Sequence, residues 1–263
     1  MSSRIDTVAT RRKGSRWTLA VVILGLLLGA VAVATVALPG LLYHHGQIGL
    51  RSAFGEIRLG AMVGIAAIVV SLVGIVLALR ARQPHALLYA ALGLLLGVLA
   101  FVPPWLLARR AGSLPAIHDI STDTVNPPAF VAVLPLRANA PNSPIYGGAE
   151  VASKQHAAYP DIQPLRSNQA PAALFDAAHK VALAMDWQIV DEQADAGRLE
   201  ATARTAWFGF KDDVVIRVRP QGNGSRLDIR SESRLGGSDI GANAARIRDF
   251  LARMHRLLGD PAS

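Results

Sequence analysis

Cysteine is absent from the 263 residues, which excludes disulfides, thiolate metal sites and a cysteine nucleophile. Charged side chains make up only 17% of the chain, and the stretches 17–42, 59–79 and 86–107 hold none of them. Catalytic motifs are missing too. There is no Gly-x-Ser-x-Gly elbow and no His-Glu-x-x-His zinc helix. The Gly-rich turn at 234–243 fails the P-loop spacing and has no Lys in the required place. No reaction can be named on these grounds, and neither a metal nor a cofactor is expected.

What is present begins with the uncharged stretches. Each is long enough to cross roughly 30 Å of hydrocarbon, so the reading is three transmembrane helices. The first run, about 26 residues, is too long for the core of a cleaved signal peptide, so it is expected to be retained. Lacking an ionisable acid or base, the spans offer no proton relay, ion site or charged substrate path. His44 and His45 fall at one interface and His85 at the other, which rules out an intramembrane haem pair. Pro103 and Pro104 should kink or end the third helix. Gly25 and Gly29, Gly60 and Gly64, and Gly93 and Gly97 form small-xxx-small pairs, which fit either a compact bundle or an oligomer.

The formal charge of +8 points to nucleic acid until the chain is divided. Residues 1–111 carry 11 basic and 2 acidic side chains, whereas residues 112–263 carry 16 and 17. A nearly neutral soluble half argues against nucleic acid as a partner. The basic excess instead orients the helices. Arg4, Arg11, Arg12, Lys13, Arg16, Arg80 and Arg82 lie on one side of the bilayer, against Arg51, Arg58, Arg109 and Arg110 on the other. The division is therefore a cytoplasmic tail at 1–16, a membrane domain at 17–110, an ordered Pro-rich wrapping segment at 111–170 and an α+β core at 171–263. The C-terminal part is expected on the far side of an inner, cytoplasmic membrane, in the periplasm if the cell is Gram-negative and otherwise extracellular.

Within that part, Leu174, Ala178, Val181 and Met185 make one helical stripe. Strands are expected at 187–190, 198–207, 213–219 and 226–232, and a hairpin turn at 221–224. Alternation places Leu199, Ala201, Val214, Ile216, Leu227 and Ile229 inward. Arg198, Glu200, Arg204, Arg217, Arg219, Arg226, Asp228, Arg230 and Glu232 point outward, onto what reads as a solvated, ion-paired face. A final helix places Ile240, Ala244, Ile247, Leu251, Met254 and Leu258 against the sheet, capped by Ser238 or Asp239. The fold class is a two-layer α+β domain, an antiparallel sheet of about four strands covered by helices.

Three ordered motifs carry a resemblance: IHDISTDTVNPPAF at 117–130, WFGFKDDVVIRV at 207–218 and RSESRLGGSDIGANAARI at 230–247. Together they resemble the bacterial domain-of-unknown-function family 1499. That resemblance implies an envelope protein held by a membrane helix or lipid anchor, with no established activity. Gly112, Ser113 and Leu114 stand where some members carry a Cys.

Two site readings follow. One is an anion or partner-protein site at Arg217, Arg230, Arg234, Ser238 and Asn243, since guanidinium forks and a helix N-terminus both suit an anionic group. The other is an acid/base cluster of His118, Asp119, Asp123, Asp212 and Asp213, which would make the protein a hydrolase. The first makes it a non-enzymatic binding module.

The topology is directly testable. A phosphatase reporter fused after Ser263 should be active, and a fluorescent signal from a reporter that works only in the cytoplasm would invert the assignment.

Overall fold

The structure is a computed structural model that describes residues 2–259, with side chains from Arg16 onward. The side chains of Arg4, Arg11, Arg12 and Lys13, and the terminal Ser263, lie outside the described residues. The chain divides into two compact units, Met1–Arg109 and Arg110–Ser263.

Three helices, α1 (Ser2–His44), α2 (Leu50–Arg80) and α3 (Pro84–Ser113), supply the first unit. All three are long and apolar enough to cross a membrane. α3 continues through Pro103 and Pro104 instead of ending there, in keeping with the tolerance of apolar helices for proline. A Cβ on Gly25 or Gly93 would stand 2.7 or 2.6 Å from the Ser71 hydroxyl. Glycine is thus what lets α1 and α3 close on α2 at that level. Gly29, Gly60, Gly64 and Gly97 also face neighbouring helices of the same chain, so all three glycine pairs serve intrachain packing.

The second unit is built on one antiparallel sheet. Its strands are β1 (Asp119–Ser121), β2 (Leu165–Ser167), β3 (Gln188–Gln193), β4 (Arg198–Arg204), β5 (Lys211–Gln221) and β6 (Gly224–Ser233). The order is β1-β6-β5-β4-β3, and β2 also pairs with β6. Six strands replace the expected four because β1 and β2 are three residues long, too short for alternation to register in a sequence. Both come from the Pro-rich segment, which also holds a 3₁₀ turn (Leu134–Arg137) and α4 (Gly148–Ala158). Gln155, on α4, is fully buried. Its side chain accepts from the Ser121 N–H at 3.0 Å and donates to the Ser121 carbonyl at 2.7 Å, closing the outer edge of β1.

α5 (Pro171–Ala184) and α6 (Ala242–Leu258) cover the apolar face. Leu174, Phe175, Val181, Ile247, Phe250 and Met254 pack there against Leu199, Val214, Ile216, Leu227 and Ile229. The Trp187 and Phe250 rings stack 5.5 Å apart. Ile240 stands before α6, with φ at 52°, so the helix opens two residues later than the stripe suggests. Asp239 holds its first turn, accepting from the Gly241 N–H at 3.0 Å and the Asn243 N–H at 2.6 Å.

Candidate functional site

The face of the sheet turned away from the helices is not solvated, contrary to the expectation from its composition. Glu200, Asp213, Asp228 and Glu232 have no exposed surface, and Arg230 is 2% exposed. A third layer hides them. Phe130 and Val133, from the Pro-rich segment, pack on Val215 of β5. Glu200 pins that segment by accepting from the backbone N–H groups of Val131 and Val133 at 2.9 and 3.0 Å. Alternation along a strand selects a face but carries no information on whether other chain covers it.

The buried charges are matched in two clusters. In the upper one, Arg230 forks onto Asp119 with two contacts of 2.8 Å. It lies over the rings of Phe130 and Tyr146 at 4.7 and 5.5 Å and donates to the Pro128 and Pro144 carbonyls. Arg137 bridges Asp213 at 2.7 Å and Glu232 at 2.9 Å. Arg234 takes the other side of Asp213 at 2.7 Å and reaches the Leu136 carbonyl. Burial, with Asp119 alongside, pushes Glu232 up to about 8 against the pull of Arg137 and Arg230. Burial also raises the Tyr146 phenol to about 12. In the lower cluster, Arg217, Arg219 and Arg226 surround Asp123 and Asp228 at 2.7 to 3.3 Å. Against the cost of burial, the Asn126 N–H and the Arg226 guanidinium hold Asp123 below the usual carboxylate range.

The residues singled out in the sequence are thus distributed through this layer and beyond it. Arg217 belongs to the lower cluster, and Arg230 and Arg234 to the upper. Asn243 lies on the opposite face of β6, bonding to the Ser231 and Ser233 hydroxyls and the His118 carbonyl. Ser238 accepts from the Ile240 N–H within its own turn. The five do not meet around one point, and each of the three guanidinium groups is already engaged by carboxylates of the domain. The acid/base candidates are separated as well. Asp212 points to the helix face and pairs with Arg246 at 2.5 Å, whereas Asp213 points to the other face. Asp119 and Asp123 belong to different clusters. The His118 ring Nδ1 is buried and has no hydrogen-bond partner. Among the described residues, no three His, Asp or Glu side chains converge as metal ligands.

A cleft of about 890 Å³ opens elsewhere, between β2, the β5–β6 hairpin and the C-terminal half of α6. Arg166, Asn168, Gln221, Asn223, Arg248 and His255 are among its lining residues. Gly224 shapes it. A Cβ there would meet the Ser167 carbonyl at 2.1 Å, so glycine is required for β2 to approach the hairpin. Arg248 forks onto Asp161 at 2.5 and 2.6 Å. His255 Nδ1 is buried in the cleft wall without a hydrogen-bond partner. Sequence reasoning missed this cleft because its walls come from three separated segments with no shared motif. It also missed Arg137, whose surroundings show no period. The one local signal for the cleft was the Gly-Asn hairpin turn at 221–224.

Fold and charge layer define a class: an α+β domain with a salt-bridged third layer, following three helices of membrane-spanning length. The family model described as "Protein of unknown function (DUF1499)" matches residues 119–254, and the chain belongs to that family. No curated protein matches it.

Glu232 gives the charge layer a pH signature. Its folded value near 8 exceeds the ordinary 4.5, so between those values the folded state keeps a proton that the unfolded state has lost. Its contribution to stability is present at low pH and is lost as pH rises through that window, by at most about 1.4 kcal/mol per pH unit. Chemical denaturation of wild type and Glu232→Gln from pH 5 to 9 should show the stability difference shifting against wild type as pH rises. Parallel curves would contradict the assignment.

Proposed function

We propose that the chain is a membrane-tethered, non-enzymatic binding module whose ligand occupies the 890 Å³ cleft. The ligand class is a small polar molecule bearing an anionic group. One observation carries this reading. The buried acids and bases on the sheet are consumed by one another, whereas the cleft keeps a guanidinium facing solvent. Arg166 lines the cleft, is exposed and has no carboxylate partner among the described residues. Arg248, already balanced by Asp161, gives the wall a fixed polar edge. A hydrolase is disfavoured by the same distribution, because His118 and the four aspartates are not brought within reach of one another. The seven-to-four bias of basic side chains supports placing the domain outside the cytoplasm, in the envelope.

The test is a thermal-shift screen of the detergent-solubilised chain with sugar phosphates and hydroxycarboxylates. A ligand at 100 times its dissociation constant should stabilise the domain by about 2.7 kcal/mol. The substitution Arg166→Gln should abolish that gain and leave the ligand-free melting temperature close to wild type. Stabilisation that survives the substitution would move the site elsewhere.

A further inference from the structure

The opposite end of the sheet carries a surface of another kind. β4 ends at Arg204 and β5 begins at Lys211, and the six residues between them, 205–210, read TAWFGF. This loop is tightly closed. The Thr205 N–H donates to the Phe210 carbonyl at 3.0 Å, and the Gly209 and Phe210 N–H groups donate back to Thr205 at 2.9 Å. Phe208 is buried and stacks on Phe210 at 4.9 Å. Trp207 packs edge-on against Phe208, also at 4.9 Å, and keeps 38% of its surface exposed. A rigid aromatic tip of this kind suits the bilayer interface, where an indole ring has both apolar and polar surroundings.

The charges beside the loop point the same way. Arg204 and Lys211 are direct cross-strand partners and both are exposed. Like charges placed opposite each other destabilise a sheet, and no carboxylate pairs with either among the described residues. Leu136, 54% exposed, joins them, because its carbonyl is held by Arg234, whose own N–H donates to the Lys211 carbonyl at 3.0 Å. The chain also joins the domain at this end. The Ile117 carbonyl accepts from the Asp239 N–H, the His118 carbonyl accepts from the Ser233 N–H, and Asp119 pairs with Glu232. α3, the third helix of membrane-spanning length, ends at Ser113, only five residues before β1.

We propose that this end of the domain rests on the phospholipid headgroup layer, with Trp207 at the interface and Arg204 and Lys211 against anionic headgroups. Uncompensated like charges, an exposed aromatic tip and a short tether of spanning helix together fit a lipid surface, which supplies negative charge and an apolar boundary at one place. The inference is independent of the cleft, which lies at the hairpin end of the same strands.

The absence of cysteine makes the test clean, since one introduced thiol is then unique in the chain. Ala206→Cys and Asn223→Cys, both at exposed loop positions, are labelled with bimane in the full chain. Each is reconstituted into phosphatidylcholine vesicles with a minor phosphatidylglycerol fraction and a headgroup-nitroxide lipid. Quenching at 206 should exceed that at 223 by more than about twofold, and Arg204→Glu with Lys211→Glu should remove most of the difference. Equal quenching at the two positions, or quenching at 206 that ignores the charge reversal, would overturn the proposal. Shielding of 206 from both lipid and aqueous quenchers would assign the patch to a protein and overturn it as well.

Discussion

The ion pair between Arg230 and Asp119 is the constraint on which the domain depends. Both residues are buried, at 2% and 3% exposure, so neither charge is compensated by water. Two parallel contacts of 2.8 Å, two aromatic faces and two backbone carbonyls supply what solvent would have given. The pair also joins distant segments, because Asp119 starts β1 and Arg230 lies 111 residues later on β6. Losing it would free the edge strand and leave Glu232 and Asp213 facing one another with fewer cations between them. Breaking a buried pair by removing one partner costs about 3–5 kcal/mol, a large part of a small domain's stability.

From this follows the unusual placement of charge. A sheet needs apolar partners on one face, which α5 and α6 provide, but its second face here is covered by a Pro-rich segment that sets few of its large apolar side chains against it. Phe130, Val133 and Val215 form only a small cluster. Geometry fills the remainder: guanidinium planes stack on rings, and carboxylates accept backbone N–H groups that would otherwise lack partners. The same matching leaves the buried acids and bases of the sheet engaged by one another, while the cleft and the aromatic loop lie at the two ends of the strands.

How much of this can be read from the residues depends on the range of the interaction. The strands announce themselves through alternation at 198–207, 213–219 and 226–232, and α6 through the spacing of Ala244, Ile247 and Met254. The first of these strands, however, ends at Arg204, before the aromatic loop. The glycine pairs marked the close helix approaches, although spacing alone left bundle and oligomer equally open. The charged face was correctly assigned to the side opposite the helices and wrongly assigned to solvent. Nothing local at Arg230 records that Pro128, Tyr146 and Asp119 will fold over it. The site chosen from Arg217, Arg230, Arg234, Ser238 and Asn243 fails to converge for a related reason. Side-chain parity along β6 separates Arg230 from the Ser231 and Ser233 hydroxyls that hold Asn243, and the order of residues along the chain does not show which neighbours a helix N-terminus will face. The 890 Å³ cleft is a tertiary feature throughout.

The central claim is that the charged layer is a structural core and not a solvated lattice. The measurement that reaches it most directly is the denaturant-unfolding free energy of Arg230→Gln, alone and combined with Asp119→Asn. A buried lattice predicts that the single substitution costs about 3–5 kcal/mol and that the second substitution restores part of the loss, because it removes the carboxylate left unpaired. A single substitution within about 0.5 kcal/mol of wild type, as expected of a surface position, would contradict the account.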